Sequence, residues 1–189
     1  MIYLDNSATT KPHKEVLNTF VQVNEQYYAN PASIHEAGVT ANTLLMRARE
    51  QVAQILNTEA QEVVFTAGGT ESNNFAIFGT AQASTHKGKH ILTTEIEHPS
   101  VLEAVKRLAQ AGFEVDYLHV DRNGIISLDE LRNKVRKDTI LVSIMHVNNE
   151  MGAIQPIEEA GEIIHANSRA LFHVDAVQAI NCVHFDVKE

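Results

Sequence analysis

Disulfides are the first thing this sequence does without: its 189 residues contain a single cysteine, Cys182, so no internal disulfide framework staples the fold. Positive charge is also scarce. Fifteen Lys and Arg stand against 24 Asp and Glu, a net charge of −9 at pH 7, and no dense basic run occurs. That balance argues against a phosphate-backbone binder, so direct nucleic-acid binding is not expected. No uninterrupted apolar run approaches the roughly 18 residues of a membrane span, and no membrane association is expected. The opening Met1-Ile2-Tyr3-Leu4-Asp5 has neither a basic n-region nor an apolar h-region, and the expected compartment is the cytoplasm. What remains is ordinary globular composition, 44% apolar and 21% charged, long enough to bury a core.

Residues 1–12 are polar and turn-rich and read as an arm. Between Ile34 and Leu56 the apolar positions Leu45, Ala48, Val52, Ile55 and Leu56 recur at helical spacing. Glu62-Val63-Val64-Phe65-Thr66 has the look of a buried strand, leading through Gly68-Gly69-Thr70 into a helix that reaches Phe78. Strands are expected at His90–Thr94, Val115–Leu118 and Thr139–Met145, and before Asp175. Pro99 at a first turn and Gly112 beyond the last delimit a helix; Ser127 and Glu130 form a capping box for the next; a third is expected from about Pro156 to Ala166. Five strand units alternating with helices imply an α/β fold: a mostly parallel sheet with helices on both faces.

Polar residues recur where those strands end, which is where open α/β sheets bind ligands. Gly68-Gly69-Thr70-Glu71-Ser72 sits between strand and helix, so its backbone N–H groups could hold a phosphate, or it is a capped turn. His98 follows a strand and precedes Pro99, placed either to stack on a flat ring or to serve structurally. Asn148, Asn149 and Glu150 offer neutral amides beyond another strand, or simply a turn. Asp175, with Gln178 three residues on, is either a cap or a partner for a cofactor's ring nitrogen. An anion cradle, a stackable ring, an amide donor and a carboxylate together match pyridoxal 5′-phosphate. No metal site is expected. His86 and His90 stand four apart, yet no carboxylate or thiol completes a set.

Six ordered stretches resemble one family. Tyr3-Leu4-Asp5-Asn6-Ser7-Ala8-Thr9-Thr10, Asn30-Pro31-Ala32-Ser33, Phe65 to Asn73, Glu97-His98, His146-Val147-Asn148-Asn149-Glu150-Met151-Gly152 and His173-Val174-Asp175-Ala176-Val177-Gln178 are similar to cysteine desulfurases of the NifS/IscS type. The resemblance covers roughly the first half of such an enzyme. It implies a partial fold-type I pyridoxal-phosphate transferase, three-layer α/β/α: an arm over residues 1–12 that packs with the small domain in the full-length family, an incomplete cofactor-binding large domain over 13–189, and no C-terminal small domain. It implies conversion of L-cysteine to L-alanine with an enzyme persulfide, sulfur passing to iron–sulfur clusters or thiolated tRNA through an acceptor or scaffold protein, and a homodimer when full-length. Carried over, Gly69 and Thr70 bind phosphate, His98 stacks on the ring and assists proton transfer, Asn149 and Gln178 reach the ring oxygen, and Asp175 pairs with the pyridinium nitrogen. Other class V pyridoxal-phosphate enzymes, an aminotransferase or a selenocysteine lyase, and a non-catalytic truncated binding protein are the alternatives.

The family's Schiff-base lysine stands in a Ser-x-His-Lys motif after the Asp and Gln, and its persulfide cysteine is later still. Ser84-Thr85-His86-Lys87 spells the lysine motif upstream, in the wrong order, and no family motif surrounds Cys182. Catalysis by this chain alone is therefore not expected. The resemblance also places two later strands between the segment ending at Thr66 and the rest of the sheet, so that segment is expected to lack ladder partners and to lower stability.

Overall fold

β-branched and apolar residues fill His90–Thr94 (β1), which pairs in parallel with Glu114–Leu118 (β2) on one side and Thr139–Ser143 (β3) on the other; Leu171–His173 (β4) adds beyond β3. The order is β2-β1-β3-β4, and every pair is parallel. The computed structural model describes residues 2–180, 182, 183, 186 and 187. The two central strands are buried at all positions, whereas the edge strands are partly exposed. Thr93, Ser143 and His173 are register partners, so three strands end side by side. Strand order reverses between β1 and β3: the chain leaves β1 toward β2 and leaves β3 toward β4. A crevice beyond strand ends at such a reversal is where α/β sheets take their ligands.

Helices α1 (Lys14–Gln26) and α2 (Glu36–Ile55) precede the sheet in sequence; α3 (Gly69–Ala83), α4 (Pro99–Gln110), α5 (Leu128–Lys134) and α6 (Ile157–Asn167) alternate with its strands. Neighbouring side chains on a strand point to opposite faces. Ile91 and Leu141 accordingly pack with Ile77 of α3 and Val101, Val105 and Leu108 of α4, while Leu92 and Val142 pack with Leu131 of α5 and Ile164 of α6. Helices thus cover both faces, as the alternating pattern requires. Pro99 opens α4, and Gly112 beyond its end takes φ +89°, a left-handed conformation that costs glycine little.

Two compact units divide the chain, Thr66–His184 with the sheet, and Met1–Phe65 with Phe185–Glu189. In the second, the His35 ring accepts a hydrogen bond from the Gly38 amide and caps α2. Helix α1 adds to the expected elements; none of its residues is buried, and Val16, Leu17, Phe20 and Val21 are exposed.

Two expectations need correction. Glu62–Thr66 is not a strand: Ala60–Glu62 is a 3-10 turn, residues 63–66 join no ladder, and Val64 and Phe65 are 61% and 47% exposed. A strand exists only where a neighbour supplies its hydrogen bonds, and among the described residues the sheet has four strands, not five. The capping box at Ser127 is half made. Ser127 Oγ accepts from the Glu130 amide, but the Glu130 carboxylate accepts from the His119 amide and faces Lys134 Nζ at 2.8 Å.

Burial predicts an uneven response to truncation. Leu141→Ala, at a residue 1% exposed, should cost about 2–5 kcal/mol in urea unfolding followed by circular dichroism. Val64→Ala should stay within about 0.5 kcal/mol. Equal losses at the two positions would show that residues 63–66 are packed.

Candidate functional site

Because the strands are parallel, the segments leaving β1, β3 and β4 emerge at one edge of the sheet. His98 lies four residues beyond Thr94 in β1's exit loop and caps α4; Asn149 follows β3; Asp175 stands two residues past His173. Backbone hydrogen bonds bind these exits together. The Ile144 amide donates to His173 O at 3.1 Å and the His146 amide to Asp175 O at 2.9 Å. Asn148, buried, donates from Nδ2 to Ile96 O at 3.0 Å, and its Oδ1 accepts from the Glu150 and Met151 amides. Asn148 is therefore spent on the loop. Asn149 is half-buried, and its side chain makes no hydrogen bond among the described residues.

Asp175 is the centre of this end. Only 7% exposed, it accepts from Asn73 Nδ2 through Oδ2 at 2.8 Å and from the Val177 amide through Oδ1 at 3.0 Å. The second bond is the cap-like contact foreseen for an Asp in this place, made here to a turn over 177–180. The first comes from a helix 102 residues earlier. Asn73 also donates to Ser100 Oγ at 2.9 Å, and Ser100 Oγ meets His98 Nδ1 at 2.7 Å. The Ser100 amide donates to the same ring nitrogen at 3.1 Å, so His98 is the N-cap of α4. The amide's donation requires a lone pair on Nδ1, which places the proton of the neutral ring on Nε2 and makes Ser100 Oγ a donor to the same nitrogen. His98 thus serves as a cap while the residue remains exposed.

The start of α3 approaches the same loop. A Cβ placed on Gly69 would lie 3.0 Å from Val177 Cγ2, tighter than side chains normally pack, so the close approach favours glycine. The first amides of α3 have no intrahelical acceptor, as at any helix start. Thr70 is exposed on that turn, and Glu71 accepts from the Ala67 amide. Gln178 is half-buried in the turn after Asp175.

Two neighbours of the site were not singled out from sequence. Asn73 and Ser100 are both buried and join Asp175 to His98; the signal was a polar residue one helical turn after Gly69-Thr70, on a face that has to be inside. Burial pushes the Glu97 carboxyl up to about 7, with a smaller upward push from Asp175 against hydrogen bonds from Met145 and Thr94. Burial likewise lowers His173, whose Nδ1 meets Ser143 Oγ at 2.8 Å.

Other residues lie away from this edge. Lys87 precedes β1 and, with Lys137 before β3 and Arg169 before β4, lines a cavity of about 630 Å³ where strands begin. His90 is fully buried, its ring nitrogens 2.7 Å from Thr139 Oγ1 and 3.2 Å from Asp116 Oδ2, so it is engaged by protein rather than open to a ligand. Among the described residues no helix is long and apolar enough to cross a membrane.

The hydrogen-bond chain can be tested for coupling. Asn73→Ala should cost about 1–3 kcal/mol by leaving buried acceptors short of a donor. In an Asn73→Ala/Asp175→Ala double-mutant cycle the losses should fall short of additivity by more than about 0.5 kcal/mol. Additive losses would break the proposed link.

Residues 2–189 match the model of the family described as aminotransferase class-V. A cysteine desulfurase IscS of Methanosarcina thermophila is 51% identical over 188 residues, covering 100% of this chain and 46% of that protein. A solved structure named NIFS-like protein superposes with a TM-score of 0.97 at 41% identity, over 100% of this chain and 52% of the other. Another, SspA in complex with cysteine, gives 0.94 at 36% identity, over 100% and 54%. The chain spans about half the length of the relatives it matches. It belongs to the class-V aminotransferase family.

Proposed function

We propose that this chain supplies the cofactor-holding wall of a pyridoxal-phosphate-dependent cysteine desulfurase. The supporting observation is the buried Asp175, fixed on one side by Asn73 and on the other by the Val177 amide, at an edge shared with His98, Asn149 and the start of α3. This donor set suits the cofactor. A buried carboxylate with a neutral amide partner suits a pyridinium nitrogen, and the first amides of α3, which starts at Gly69 with no side-chain cap, suit a phosphate.

In this reading Gly69 and Thr70 bind phosphate, the exposed His98 stacks on the ring, and Asn149 and Gln178 reach the ring oxygen. Asp175 holds a proton on the ring nitrogen. The cofactor, when bound, supplies an electron sink for reaction at the amino acid's α-carbon. His98, proton on Nε2 and lone pair spent on the cap, presents a proton at the edge opposite the cap. The substrate is L-cysteine and the product sulfur goes to an acceptor protein, on the strength of relatives named cysteine desulfurase. A homodimer and a cytoplasmic setting belong to the same proposal.

The chain alone is proposed to hold cofactor without turnover. Lys87 sits where strands begin, while the proposed wall lies where they end, and a five-residue strand is about 17 Å long. The test is a titration with pyridoxal phosphate, read by absorbance and by borohydride trapping. Saturable binding is expected, weakened on the order of tenfold by Asp175→Ala, the usual worth of a hydrogen-bonded charge, with no stoichiometric adduct at Lys87. Binding indifferent to Asp175→Ala would sink the assignment, and a single-site adduct on Lys87 would put the chemistry elsewhere.

A further inference from the structure

Glu97 stands at this edge of the sheet with no part in the roles above. Its side chain is 4% exposed, and one oxygen, Oε1, accepts from the Thr94 hydroxyl at 2.8 Å and from the Met145 amide at 2.7 Å. Thr94 ends β1 and Met145 lies on the exit of β3, so a single carboxyl spans the point where strand order reverses. The bond from Asn148 Nδ2 to Ile96 O crosses the same gap, and together they fasten the loop bearing His98 to the loop bearing Asn149.

The other oxygen, Oε2, is buried with no hydrogen-bond partner. An ionised carboxylate there would carry charge on an oxygen that neither water nor protein solvates. The charge whose field reaches it is that of Asp175 on the β4 exit, of like sign, and its two hydrogen-bond partners, from β1 and the β3 exit, are neutral. The acid form resolves both problems. It puts the proton on the bare Oε2 and leaves Oε1 as a carbonyl whose two lone pairs take the two bonds observed.

We propose that Glu97 is a positioning residue: a buried carboxylic acid that ties the exit of β1 to the exit of β3, setting His98 opposite Asn149 and leaving the negative charge to Asp175. The tie itself is independent of the cofactor, and its consequence for binding rests on the pyridoxal-phosphate reading above.

The whole chain should be compared with Glu97→Gln and Glu97→Ala, by urea unfolding and by equilibrium binding of pyridoxal phosphate, from pH 5 to 8.5. A carboxyl whose folded value of about 7 lies above its ordinary 4.5 favours the fold while protonated, and that support is lost as pH rises through the folded value. The wild-type urea midpoint should therefore fall across this window relative to Glu97→Gln, which mimics the acid. Glu97→Ala, with no acceptor for Met145, should have the lowest midpoint at pH 6. At pH 8.5 Glu97→Gln should hold pyridoxal phosphate several-fold more tightly than wild type, with the two alike at pH 6. A wild-type-minus-Gln difference flat with pH, in either measurement, overturns the proposal, as does a Gln variant no better than Ala. If Ala fails to fold, the wild-type and Gln pair still decides. If no form binds pyridoxal phosphate, the cofactor reading falls and the urea comparison alone confirms or overturns the tie.

Discussion

Parallel pairing of β1 with β3 is the constraint from which the rest follows. Two strands buried at every position can lie side by side only if both faces are covered, so helices occupy both faces and the chain crosses between them. Parallel direction then sends every strand's exit to the same edge. Residues far apart in sequence arrive together there because Thr93, Ser143 and His173 share a register. Strand order reverses at this pair, the position at which α/β sheets take their ligands.

At that edge the dominant physics is the cost of burying carboxyls. Asp175 meets it with two hydrogen bonds, one local from Val177 and one distant from Asn73. Glu97 meets it differently, with both of its bonds on one oxygen and none on the other. The structural and functional readings of these residues are not rivals. His98 caps a helix with the very nitrogen whose engagement leaves its opposite edge protonated, and Asp175 caps a turn with one oxygen while the other anchors Asn73. Structural bonds of this kind preorganise a site, because groups already fixed need not be ordered when a ligand arrives.

Elsewhere the chain carries apolar surface that its own fold does not cover. Val64 and Phe65 are exposed, and the apolar residues of α1 stand open among the described residues. The chain spans about half the length of the relatives it matches. β-propensity at Val63-Val64-Phe65 is strong, but without a neighbouring ladder there is nothing for the backbone to pair with.

Sequence alone determined the alternation of strands and helices, since period-2 and period-3.6 apolar patterns, Pro99 and Gly112 are local signals that hold wherever the segment ends up. It also determined the family, because the motifs around Gly69, His98, Asn149 and Asp175 are contiguous strings. It did not decide that Glu62–Thr66 would stay unpaired, that Glu130 would accept from the His119 amide rather than complete the capping box, or that Asn73 and Ser100 would link Asp175 to His98. Nor did it decide that Glu97 would lie buried between two strand ends. Each of those depends on which segments become neighbours, and neighbours far apart in sequence are supplied by the tertiary fold alone.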